Sequence, residues 1–155
     1  MSCEAALGRP HHAERLRHGG LLSLYASLPT SHQLTLAVRA GGAHVLFYAA
    51  STLGGQTNLR GFRSTRFSGR SSFYTNAELR LELFSLKGAY LPGRLGILGF
   101  IDNGRVWTDG ESSDTWHQGY GVGLWYNIVE EVVLVFTHGE SDEGTFFVGG
   151  IGFLF

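Results

Sequence analysis

Alternation of apolar and polar residues limits how this chain can fold more than any other feature of it. From residue 20 onward, Leu22, Leu24, Ala26 and Leu28 alternate with Ser23, Tyr25 and Ser27, and Pro29-Thr30-Ser31 follows as a short turn. Leu34, Leu36, Val38 and Ala40 then alternate with Gln33, Thr35, Ala37 and Arg39. The pattern is sharpest between Phe73 and Leu86, where Ala77, Leu79, Leu81 and Leu83 stand against Asn76, Glu78, Arg80 and Glu82. Side chains on a strand switch face at every residue, so these segments predict strands with one greasy face and one polar face. Further strands are expected at Arg94 to Trp107, Trp116 to Tyr126, Val132 to His138 and Thr145 to Phe155, seven in all.

The same alternation suits a soluble sandwich, whose apolar faces meet in a core, and a membrane barrel, whose apolar face meets lipid. Connection lengths favour the barrel. They run short at Pro29, long from Leu46 to Ser72, short at Leu91-Pro92-Gly93, medium from Thr108 to Thr115, short from Asn127 to Glu131, and medium from Gly139 to Gly144. Short turns on one side and longer loops on the other are the habit of bacterial outer-membrane barrels. The abundance of Gly (23 residues), the scarcity of Pro (3) and the 13% aromatic content fit many strands, tight turns and aromatic belts. No apolar run reaches the length of about 18 residues that a membrane helix needs.

We therefore expect an all-β, antiparallel up-and-down transmembrane β-barrel region, about seven C-terminal strands of a larger barrel, over residues 20–155. Residues 1–19 hold no signal-peptide core and are expected to be poorly ordered or an upstream remnant. Such barrels carry an even number of strands, so closure calls for missing N-terminal strands or another copy. In the strand after Trp116, Tyr120, Val122, Leu124 and Tyr126 face out, and Gly119, Gly121 and Gly123 face in, leaving lumen space for something to fill.

The long connection is expected to have no strand of its own, which in a compact domain marks a functional or disordered segment. It holds Gly54-Gly55-Gln56-Thr57-Asn58-Leu59-Arg60-Gly61-Phe62, then Arg63, Arg66 and Arg70. Phe100-x-Asp102-x-Gly104 lies two strands on, and the chain ends with Gly150, Phe153 and Phe155. In this combination residues 20–155 resemble the C-terminal barrel region of the BamA/TamA outer-membrane superfamily, which includes two-partner secretion transporters. The resemblance implies a loop folded back into the barrel with Arg60-Gly61-Phe62 at its tip. It also implies an inward acid at Glu78, a wall motif of Phe100, Asp102 and Gly104, and a C-terminal assembly signal of Gly150, Phe153 and Phe155. Val148 departs from that signal, where a polar residue is more usual.

A cation on an inserted loop needs carboxylates, because an unpaired buried charge costs several kcal/mol. Glu78 and Asp102 lie on polar strand faces that could supply them, and a guanidinium can take a carboxylate in two parallel hydrogen bonds where an ammonium cannot. Gly61 allows close backbone approach, and Gly104 is expected to leave room for Phe62 or Arg60.

Catalytic residues, cofactor sites and metal sites are not expected. His11, His12 and His18 lack a carboxylate or Cys partner nearby. Gly119-x-Gly121-x-Gly123 lacks dinucleotide-loop spacing, and no Gly-x-Ser-x-Gly occurs. Cys3 is alone, and a net charge of −1 argues against nucleic acid. Trp107, Trp116, Trp125, Tyr120 and Tyr126 are expected at the membrane interface.

The expected partners are outer-membrane lipid and unfolded outer-membrane or secreted proteins, and the expected place is the bacterial outer membrane. The expected function is insertion, folding or translocation of proteins, with no bond chemistry. Two other readings stay open. Trp116-His117-Gln118-Gly119-Tyr120-Gly121 through Trp125 is similar to barrels that anchor a calcineurin-like phosphoesterase, and a soluble lipocalin-like binding barrel would share the alternation.

Overall fold

A computed structural model describes residues 17–28, 33–45, 50–88, 92–108, 115–129 and 131–153. Within them the chain forms β1 (Arg17–Leu28), β2 (Leu34–Val45), β3 (Ser51–Leu53), β4 (Phe67–Gly69) and β5 (Ser71–Leu86). β6 (Gly93–Trp107), β7 (His117–Ile128), β8 (Val132–Ser141) and β9 (Gly144–Ile151) follow. Seven strands make one antiparallel, up-and-down sheet in the order β1-β2-β5-β6-β7-β8-β9. This is the all-β meander that the alternation predicts. Among the described residues β1 and β9 do not pair with each other, so each leaves a free edge.

β1 starts at Arg17 because its ladder with β2 runs on to Arg17↔Val45, past the point where the side-chain alternation fades. Ladder bonds use backbone groups and need no apolar pattern. The long connection differs from expectation in carrying two short strands of its own, β3 and β4, paired antiparallel from Ser51↔Gly69 to Leu53↔Phe67. A loop lying against a sheet must satisfy its own N–H and C=O groups, and a short hairpin does so.

The sheet is polar where soluble proteins are greasy. Arg39, Asn76, Glu78 and Asp102 are buried on one face, Asp102 with no exposed surface, while Val122 and Phe136 on the other face are each 62% exposed. Leu36, Val38, Leu79, Ile97, Ile101 and Leu124 join them on that outer face. A continuous exposed apolar surface of this kind marks contact with a membrane or partner. In β5 the register shifts between Glu82 and Phe84, so Phe84, 60% exposed, takes the outward position after the slip and the apolar face continues to Leu86.

The sheet curves around the long loop. The Gln56 side chain donates to the backbone oxygen of Gly149 in β9, while Arg39 of β2 donates to the Thr57 oxygen. Five strand steps separate β2 from β9, about 24 Å if flat, so neighbouring loop residues reach both because the sheet curls over them.

Candidate functional site

The loop enters the concave side as a folded unit. Leu53, Leu59 and Phe62 are almost fully buried and pack with Phe67, Tyr74 and Val106. The Gly55 N–H donates to the Phe62 oxygen at 3.1 Å, and the Leu59 N–H to the Gly55 oxygen at 3.3 Å. Asn58 ties the tip to its own base: its Oδ1 accepts from the Gly54 N–H at 2.8 Å, and its Nδ2 donates to the Thr52 oxygen at 3.1 Å.

Beyond this knot the chain presents Arg60 to the wall. Its Nε donates to Asp102 Oδ2 at 2.8 Å and its Nη2 to Asp102 Oδ1 at 2.9 Å, a two-pronged pair. The Arg60 backbone N–H also donates to Asp102 Oδ2, at 2.9 Å, and Nη1 donates to Glu78 Oε2. Glu78 Oε1 accepts from Arg80 Nε at 2.6 Å, so one carboxylate serves two guanidinium groups. Beneath them the Phe100 ring lies 3.8 Å from Arg60 Cζ, close enough for its π face to add attraction.

Register explains the convergence. Glu78 stands opposite Phe100, and Asp102 opposite Asn76, so the acids sit on adjacent strands one inward position apart. Arg60, Glu78 and Asp102 are 5%, 1% and 0% exposed, and at such depth each charge depends on the others.

Gly61 and Gly119 supply the close approach. Gly61 has φ of +88°, a backbone region disfavoured for side-chain-bearing residues, and packs against Gly119 and the Glu140 backbone. A Cβ on Gly119 would stand 1.9 Å from the Arg60 oxygen. The space beside Gly119 is thus filled by the loop itself, whereas Phe100 comes closest to Gly121 among side chains, and Thr137 and Leu98 to Gly123. Ser141 Oγ donates to the Gly61 oxygen at 2.5 Å, and Arg66 Nε reaches both Glu143 oxygens at 2.7 and 2.8 Å, tying the loop to the β8–β9 turn.

Several placements differ from expectation. The room beside Gly104 is occupied by Leu53 and Leu59, and not by Phe62 or Arg60: a Cβ there would meet Leu53 Cδ1 at 2.9 Å. Phe62 instead meets Phe67 edge-on at 5.1 Å and His117 at 6.0 Å, because the turn at Gly61 sends it away from Arg60. Trp125 is not at an outer interface. It shares the inward parity of Gly119, Gly121 and Gly123, is 7% exposed, and packs with Leu98, Phe100 and Val135. Of the chain-end trio, Gly150 faces Gln56, and Phe153 stacks under Arg80 with 3.7 Å from Cζ to the ring. Phe155 lies outside the described residues.

Sequence reasoning missed a second set of contacts. Arg39 donates to Asn76 Oδ1 through Nε at 3.0 Å and Nη2 at 2.9 Å, and Asn76 Nδ2 donates to the Asn58 oxygen at 2.9 Å. Alternation places Arg39, Asn76 and Arg80 on the polar face, but no sequence signal names their partners. A cavity of about 320 Å³ remains between this network and β8–β9, with Arg39, Gln56, Thr57, Thr137, Val148 and Phe153 in its lining.

An antiparallel up-and-down sheet with an apolar convex face, curled round a loop that carries paired charges, is the architecture of part of a β-barrel with an inserted loop. Residues 27–126 match the model of the haemolysin secretion/activation protein family ShlB/FhaC/HecB, and the chain belongs to that family. Its members are outer-membrane transporters for secreted proteins, and not enzymes. No curated protein and no solved structure matches the chain.

Proposed function

We propose that this chain forms part of the outer-membrane channel wall through which a secreted protein crosses, and that the Arg60 loop sets the state of that channel. The observation that carries this reading is where the loop sits. It lies on the charged concave side of a sheet whose convex side is apolar, inside the stretch that matches the transporter family. Glu78 and Asp102 hold Arg60 and so fix the loop's direction, Phe100 backs the guanidinium, Gly61 allows the turn, and Gly104 makes room for Leu53 and Leu59. These groups do no bond chemistry; they set a shape. Passage of a polypeptide requires the loop to shift, because its tip and the Arg39–Asn76 pair occupy the concave side.

In this reading the convex face meets outer-membrane lipid, and Gly150, Phe153 and Phe155 take part in delivery to the membrane. Closure needs strands beyond these seven. Six antiparallel pairings separate β1 from β9, so the two edges run in the same direction. An all-antiparallel barrel is then completed by an odd number of added strands, whereas two copies around a common axis would meet at parallel seams. The family match also spans the whole of the Trp116 to Trp125 stretch, so nothing favours the phosphoesterase anchor over transport.

The test compares proteins in the culture medium of cells carrying the gene, lacking it, or carrying Arg60→Ala. At least one exported protein should disappear from the medium without the gene and fall with Arg60→Ala. Identical media from all three strains reject the transport reading.

A further inference from the structure

We propose that Arg105, with Trp107 and Trp116, forms a binding site on the convex face for the phosphate of a membrane-lipid headgroup. The inference rests on the reading that this face meets lipid. Arg105 pairs with the outward Phe73, so it shares the face of Ile97 and Ile101. Among the described residues, alternation places two charged side chains, Arg105 and Glu140, on the convex face of β2 and β5 to β9. Glu140 lies opposite Tyr120 on a strand two steps away.

The surroundings of Arg105 are specific. Its Cζ lies 4.9 Å from the Trp107 ring centre and 6.0 Å from that of Trp116. Phe73 meets Trp116 edge-on at 6.3 Å and 89°. The two indoles are 38% and 51% exposed, so the aromatic frame opens outward. Across the next strands Trp107 stands opposite Ser71 and Ser71 opposite His44, whose Nδ1 is 2.7 Å from Ser71 Oγ, which continues a polar row at the same level.

Depth gives the site its ligand. Arg105 is four residues, about 13 Å along the strand, beyond Ile101 and next to the end of β6. A cation on the lipid face of a barrel costs about 2–4 kcal/mol at mid-membrane and about 0–1 kcal/mol near the headgroups, where Trp also concentrates. At that level the dense anionic group is the headgroup phosphate, which a guanidinium takes in two parallel hydrogen bonds. The indoles hold the guanidinium by their π faces and give the acyl chains an apolar floor.

The test uses the full chain in neutral maltoside micelles, with indole fluorescence read during titration. Two lipids with identical acyl chains serve as probes, phosphatidic acid and diacylglycerol, which differ only in the phosphate. Phosphatidic acid should give a saturable change and diacylglycerol none. Arg105→Gln should weaken the apparent affinity about ten-fold, as expected for losing a charge-assisted hydrogen bond. Arg105→Lys should retain part of it, and Arg94→Gln should bind as the native chain does. Equal binding by native and Arg105→Gln protein overturns the site while leaving the membrane reading intact, and so does an equal response to inorganic phosphate alone. If Arg105→Gln lacks the β-sheet circular dichroism of the native chain, the lysine variant alone decides: binding as weak as diacylglycerol's rejects the site. A native chain that stays soluble and monodisperse without detergent rejects both the site and the membrane reading.

Discussion

Arg60 and Arg66 are six residues apart on one loop, each facing a carboxylate, and their surroundings make them unequal. Arg60 is 5% exposed and answers to two acids, so removing it strands Asp102 away from water and leaves Glu78 with Arg80 alone. We predict that Arg60→Ala destabilises the fold by about 3–5 kcal/mol, measured by urea titration in detergent. Combined with Asp102→Asn, the double variant should depart from additivity by about 0.5–3 kcal/mol, and strict additivity would remove the proposed pairing. Arg66 lies in water, and its hydrogen bond to Glu143 raises its pKa further above the ordinary range, so it stays charged at any working pH. Water and salt screen such a pair. Arg66→Ala should leave the midpoint of unfolding unchanged within scatter, and any small effect should vanish in about 1 M salt, where the screening length is about 3 Å.

β7 shows how an element can be shaped by what it does not carry. Its inward Gly119 leaves a gap into which the loop backbone settles, with the Arg60 oxygen where a Gly119 side chain would be. Gly119→Ala must push the loop off the wall and should cost about 1–3 kcal/mol, as overpacking does. Gly99→Ala is the contrasting case. It lies where an added Cβ finds nothing nearer than 3.9 Å, and should change stability little. Thermal unfolding of both variants gives the comparison, and equal losses would mean that strand flexibility matters and the gap does not. The seven long strands were legible because each alternates over many residues. β3 and β4, three residues each, were not: Ser51–Leu53 and Phe67–Gly69 are too short for a period to declare itself. What makes them strands is their pairing across the loop, a contact between residues that no local pattern links.

For the whole molecule the deciding property is which side of the sheet is greasy. The concave face holds the buried charges and the convex face holds Val122, Leu124, Phe136 and Phe147, the last 80% exposed. If lipid covers that face, Val122→Arg should destabilise the folded protein by about 2–4 kcal/mol in a bilayer. A soluble domain would tolerate the same surface change within about 0.5 kcal/mol, so unfolding in lipid vesicles separates the two.

Alternation, read from the sequence alone, determined that the chain is all-β and which residues share a face, while the meeting of Arg60 with Glu78 and Asp102 was expected from the family resemblance and not from periodicity. It could do so because strand geometry is local: neighbouring side chains point to opposite faces whatever the rest of the chain does. Tertiary structure decided which groups touch. It put Leu53 and Leu59 beside Gly104, turned Phe62 toward His117, and brought Arg39 and Asn76 onto the loop backbone. Those outcomes depend on how far the sheet curls and how deep the loop enters, and both are set by contacts between residues far apart in the chain.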